Sequence, residues 1–110
     1  MINYTPHTVT VRDSSGKDFV FQPSGIVPRV EMSSTPSNPV DGCPTILVEY
    51  GTAVLPKDHP RQCIVSTMFA DVYRRTHDSF DGTELFVPDF GPTAIRENGQ
   101  IVAVRALIRR

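Results

Sequence analysis

Charge of one sign, long apolar runs and cysteine are all scarce in this sequence, and each scarcity removes a class of protein. Eleven Lys and Arg face twelve Asp and Glu, a formal balance of −1, so the basic footprint of a duplex nucleic-acid binder is missing. The longest uninterrupted aliphatic stretch, Ile101-Val102-Ala103-Val104, is far short of the roughly 20 residues a membrane helix needs. Cysteine is limited to Cys43 and Cys63, with no CxxC or His/Cys spacing suited to a metal, and both read as buried thiols rather than as a disulfide. The opening Met1-Ile2-Asn3-Tyr4 has neither a basic nor an apolar leader region, which points to a cytoplasmic protein. Duplex nucleic acid, membrane, metal and cofactor are therefore not expected as partners.

What is present fits one globular domain over residues 1–110: 39% hydrophobic and 21% charged residues, enough to bury a modest core. Thr8–Arg12 and Lys17–Phe21 alternate with period two around Asp13-Ser14-Ser15-Gly16 and predict a β-hairpin. Gln22–Gly25 is a second turn, and Ile26–Met32 reads as a third strand that, because Pro28 lacks an N–H, lies at a sheet edge or begins beyond Pro28. Ser33–Pro44, with four Ser/Thr, three Pro and one Gly, predicts a long solvated loop able to close over something. The β-branched run Thr45–Tyr50 predicts a strand buried on both faces, with Gly51 a bulge or turn before Thr52–Leu55.

Gln62–Val65 is another short strand. Ser66 is placed to cap a helix over 67–76 that carries Met68, Phe69, Val72 and Tyr73 on one face and Arg74 and Arg75 in its last turn. Asp81-Gly82 is a turn and Glu84–Val87 a strand. Asn98-Gly99, between Ala94–Arg96 and a strand over Ile101–Ile108, is the strongest hairpin signal. The sum is an α+β, mainly β fold: a small half-barrel or a two-layer antiparallel sheet closed by one helix.

Four segments form an ordered set: Asn3-Tyr4-Thr5-Pro6-His7-Thr8-Val9, Pro23-Ser24-Gly25 leading to Arg29-Val30, Ile64-Val65-Ser66 stepping into a helix, and Val87-Pro88 through Arg96-Glu97-Asn98-Gly99 to Ile101. Over nearly the whole chain this set resembles a family of small uncharacterised proteins of bacterial genomes, phages and prophages that open with an Asn-Leu-Thr-Pro-His signature. Tyr4 stands where that signature has Leu, and Asp78–Gly82 makes this chain longer there. The resemblance implies a phage or mobile-element setting, hence a role against host defence or in virion assembly, and no particular activity.

Asn3, Thr5 and His7 form a polar cluster before the first hairpin that would converge on a ligand if the amino terminus lies over a pocket; the same side chains would equally tie down local backbone. Arginine supplies nine of the eleven basic residues, and its planar fork binds phosphate or carboxylate at two points. Arg29, Arg96 and Arg105 lie on or beside predicted strands that would aim them inward, and the helix start at Ser66 offers a phosphate seat. The leading expectation is a non-enzymatic, homo-oligomeric module that captures a small anionic ligand such as a nucleotide. Two alternatives stay open. One is a structural or assembly protein that buries Phe80, Phe86 and Phe90 against a partner chain. The other is a small hydrolase with His59 or His77 as base, Asp58 or Asp78 as orienter, and Cys63 or Ser66 as nucleophile.

Overall fold

The computed structural model describes residues 1–77 and 81–110. In chain order the elements are β1 (Ile2–Asn3), β2 (Val9–Arg12), β3 (Asp18–Phe21), β4 (Val30–Val40), β5 (Cys43–Ala53), β6 (Gln62–Ile64), α1 (Thr67–Thr76), β7 (Glu84–Pro88), β8 (Ile95–Glu97), β9 (Gln100–Ala103) and β10 (Leu107–Arg109). The fold is α+β and mainly β, with several small antiparallel sheets and no closed barrel among the described residues.

A four-stranded sheet in the order β1-β6-β7-β10 organises the body. β6 runs parallel to both β1 and β7, while β10 closes the other edge antiparallel to β7. Parallel neighbours cannot be joined by a tight turn, and α1 lies on the crossover between β6 and β7. Side chains alternate across the sheet. Cys63, Leu85 and Val87 point to one face, where they join Val65 and the Phe69, Ala70, Val72 and Tyr73 side of α1. Ile64 and Phe86 point to the other, where they meet Val9, with Val11, Phe21 and Leu107 packed around them. The sheet is thus covered by the helix on one side and by the β2–β3 hairpin on the other. Each fully buried aliphatic side chain here contributes about 1.5–3 kcal/mol.

The helix spans the residues its sequence predicts. Ser66 caps it, its Oγ accepting from Phe69 N–H at 3.1 Å. Met68, expected on the buried face, is 47% exposed instead. The β2–β3 and β8–β9 hairpins also form as read, the second closed by Asn98 and Gly99 at φ 52° and 78°, the paired positive values of a type I′ turn. The strand expected over Ile101–Ile108 is two. β9 ends at Ala103, and Val104 then bridges to Val11, so the chain changes partners and β10 reaches β7.

The largest departure lies in the middle of the chain. Ser33–Pro44 is not a loop: it holds most of β4, a turn at Asp41-Gly42 (φ 51° and 77°) and the start of β5. The two eleven-residue strands pair from Val30↔Ala53 at the base to Val40↔Cys43 at the tip. Gly51 lies in the bulge near the base, where an added Cβ would come within 3.2 Å of Glu31. The third strand begins at Val30 rather than at Ile26. Thr45–Tyr50 is a strand, yet it is not buried on both faces: Ile46 and Leu47 are 63% and 61% exposed. Val30, Ala53 and Leu55 root this arm in the helix-side core. Cys43, near its tip, is an exposed free thiol, whereas Cys63 is a buried one.

Candidate functional site

Asn3 is 1% exposed and fully bonded. Its Nδ2 donates to the carbonyls of His7 (2.8 Å) and Phe21 (2.9 Å), and its Oδ1 accepts from Thr5 N–H (2.9 Å). Thr5 Oγ1 lies 2.7 Å from Asn3 Oδ1 and 3.0 Å from the His7 carbonyl, so its single proton serves one of them at a time. Asn3 also offers its carbonyl to Ser24 N–H, while Tyr4 N–H donates to Ile64 O. The amide therefore clamps the amino-terminal segment to the end of β3, and the backbone fastens it to β6. A buried amide with every polar atom paired is a structural device, and it holds Thr5–Thr8 in one shape.

That shape forms a wall of a cavity of about 230 Å³. Buried Val9, Ala103 and Val104 line it together with Phe90 and with Ile101 and Val102 of β9, and its polar groups are Thr5, His7, Thr8, Thr10, Ser66 and Thr67. Among the described residues no carboxylate lines it, and His7 is its only ionisable side chain. Three of the seven expected ligand residues, Thr5, His7 and Ser66, thus meet at one cavity, with Asn3 anchoring Thr5 and His7. Arg29, Arg96 and Arg105 are exposed and do not line it. Phe90 and the β9 residues were not among the expected ligand contacts. The signal for β9 was the alternation next to Asn98-Gly99, but only the fold shows which face of that strand meets Thr5–Thr10.

Arginine forks are used for structure at other positions. Arg12 makes a two-point pair with Asp18 at 2.7 and 3.1 Å. Arg74 reaches from α1 to the Thr83 and Arg110 carbonyls and to Asp81. Tyr73 Oη donates to Asp81 Oδ2 at 2.7 Å, and this bond, with help from Thr83 N–H and Arg74, holds the Asp81 carboxyl below the usual range.

The residues proposed for hydrolysis are occupied separately. Cys63 donates to Pro60 O, and burial pushes its thiol up to about 11, so the nucleophilic thiolate is scarce at neutral pH. Ser66 Oγ serves as the helix cap. His59 Nδ1 lies 2.8 Å from Pro60 O, and His77 stacks on Tyr73 with its Nδ1 2.9 Å from Thr76 Oγ1. Among the described residues no hydrogen bond joins either histidine to Cys63 or Ser66. Phe86, expected against a partner chain, is instead in the body's own core, while Phe90 is 55% exposed at the cavity. Asp78 and Phe80 lie outside the described residues.

Compared with family models, curated proteins and solved structures, the chain matches none. Among the described residues no helix is long and apolar enough to cross a membrane.

Proposed function

We infer that this protein is a non-enzymatic binding module that takes a small anionic ligand of the nucleotide class into the cavity beside the amino-terminal segment. The observation that carries this reading is the lining: an apolar slot with hydroxyls, one imidazole and, among the described residues, no carboxylate. A volume of about 230 Å³ is below the range of drug-sized pockets, roughly 300–1,000 Å³. It suits a single planar ring system between Phe90, Val102 and Val9, with the anionic part outside. There the start of α1 presents N–H groups that have no partner within the helix, and His7 adds a donor. The resemblance to small phage and prophage proteins supports a setting in which such capture withholds a nucleotide signal from a host defence effector, the module working as a homo-oligomer in the cytoplasm.

Melting the protein against linear nucleotides, cyclic di- and trinucleotides and cyclic ADP-ribose isomers tests this. A true ligand at about 100 times its Kd stabilises the fold by about 2.7 kcal/mol, is recovered intact after denaturation, and loses its effect in Val102→Glu, which puts a carboxylate into the slot. No shift across the panel, or a shift that survives Val102→Glu, overturns the assignment. Conversion of the ligand reinstates the hydrolase.

A further inference from the structure

The β4–β5 arm has an uncovered apolar face. Cross-strand partners share a face and residues two apart repeat it, so Met32, Ser34 and Pro36 lie together with Tyr50, Val48 and Ile46. That face carries no charge, and Met32, Ile46, Val48 and Tyr50 are all exposed on it. The other face holds Ser33, Thr35 and Ser37 with Glu49, Leu47 and Thr45. An exposed two-stranded ribbon with one greasy side is marginal in water by itself.

The surface area is larger than a compact chain of this mass exposes. The chain exposes 7530 Å², whereas a compact monomer of 12.2 kDa exposes about 6,100 Å². Its radius of gyration is 16.6 Å against about 13 Å for a compact chain of this length. The excess of about 1,400 Å² exceeds the roughly 800 Å² that each side of a standard protein interface contributes.

The edges say how the partner attaches. Among the described residues β4 and β5 form a two-stranded sheet with no further strand neighbour. On β4, Pro36 and Pro39 remove two N–H donors, a common way to blunt an edge. β5 has no proline from Thr45 to Ala53, so over that stretch its outer edge keeps every donor.

We propose that this arm is a homodimer interface, in which the β5 edges of two copies pair antiparallel about a two-fold axis and the four strands present one continuous apolar face. This deepens the homo-oligomer part of the proposed function and does not require the ligand. A two-fold pairing that keeps like faces together must be centred on a residue. Centring on Glu49 would set two carboxylates opposite each other, which destabilises a sheet. Centring on Val48 places Ile46 of one copy against Tyr50 of the other and Leu47 against Glu49. Aromatic with β-branched is a favoured cross-strand pair.

Sedimentation velocity of the full chain over a concentration series is the test, with the ligand panel run on the same samples. The expected result is a species of twice the 12.2 kDa monomer that Val48→Glu converts to monomer while the ligand response of the body persists. In a Cys43→Ser background, Val48→Cys forms an intermolecular disulfide within minutes of mild oxidation, since facing positions lie within disulfide reach. A wild-type monomer, or a dimer that Val48→Glu leaves intact, overturns the proposal. A dimer without any ligand response overturns only the binding reading.

Discussion

Leu85-Phe86-Val87 and Ile46-Leu47-Val48 are equally apolar triplets, both in strands, yet the first is buried in β7 while the second stands exposed in β5. The difference lies in what surrounds them. β7 is flanked by β6 and β10 and covered by α1 on one face and the β2–β3 hairpin on the other; β5 has β4 as its one strand neighbour among the described residues and meets the helix-side core at Ala53, at its base. An apolar run specifies that a strand forms, whereas its burial depends on elements far away in sequence. In the body those elements belong to the same chain, whereas beyond its rooted base the arm has none among the described residues.

Truncation breaks or sharpens this contrast most strongly. Leu85→Ala should cost about 2–5 kcal/mol, since a fully buried leucine leaves a cavity behind. Leu47→Ala, on the polar face of the arm, should stay within about 0.5 kcal/mol. Urea denaturation at low protein concentration measures both. Equal losses would mean that the arm folds down on the body in solution.

Asn3 comes next. Asn3→Ala strips Thr5 N–H and the Phe21 carbonyl of their partners, and buried groups left unpaired make a loss of about 2–3 kcal/mol the expected result. Thr8→Ala removes only an exposed bond to Gln22 and should change stability by less than about 0.5 kcal/mol. Ligand affinity should fall with Asn3→Ala too, because the cavity wall is built on that clamp.

The same contrast separates what was legible in the sequence from what was not. Local signals read correctly: Asn98-Gly99 marks its hairpin, Ser66 its cap, and the period-two alternation of Thr8–Phe21 its ladder. Ser33–Pro44 misled because Ser, Thr and Pro usually mark loops, while a two-stranded ribbon exposed on both faces imposes no burial pattern that would contradict that composition. The usable sign was Asp41-Gly42, a dipeptide of the same turn class as Asn98-Gly99. At the cavity, Thr5, His7 and Ser66 were reachable because caps and the pre-strand cluster are local. Phe90 and Val102 were not, since their position depends on β9 packing beside β2. The guanidinium fork of Arg29, Arg96 and Arg105 suits an anion, but chemistry alone does not determine which way an exposed side chain faces.

Smaller effects are expected at the helix start. Ser66→Ala removes the cap on Phe69 N–H and should cost about 1 kcal/mol, measurable as a lower Tm, while Ser66→Asp should restore the cap. These two variants also separate stability from binding. Asp brings a carboxylate to a cavity that has none, so ligand affinity should drop even though Tm recovers. A cavity that takes a cation would show the reverse.

The smallest effect is the pH response of the body. Asp81 is held below the usual carboxylate range, chiefly by the Tyr73 hydroxyl and then by Thr83 N–H and Arg74. The folded state thus binds a proton less readily there than the unfolded chain, whose aspartate titrates near 3.9. The stabilisation is complete above that pH and disappears as pH falls through the lower folded value. Asp13, Asp18 and Glu84 are shifted the same way by their own partners, so the wild type should lose stability progressively below about pH 4. Asp81→Asn should be less stable than the wild type at pH 7, and the two urea midpoints should converge as pH falls, because acid removes from the wild type the charge that the variant already lacks. Parallel curves would show that the Tyr73 bond is made equally well by either form of the side chain.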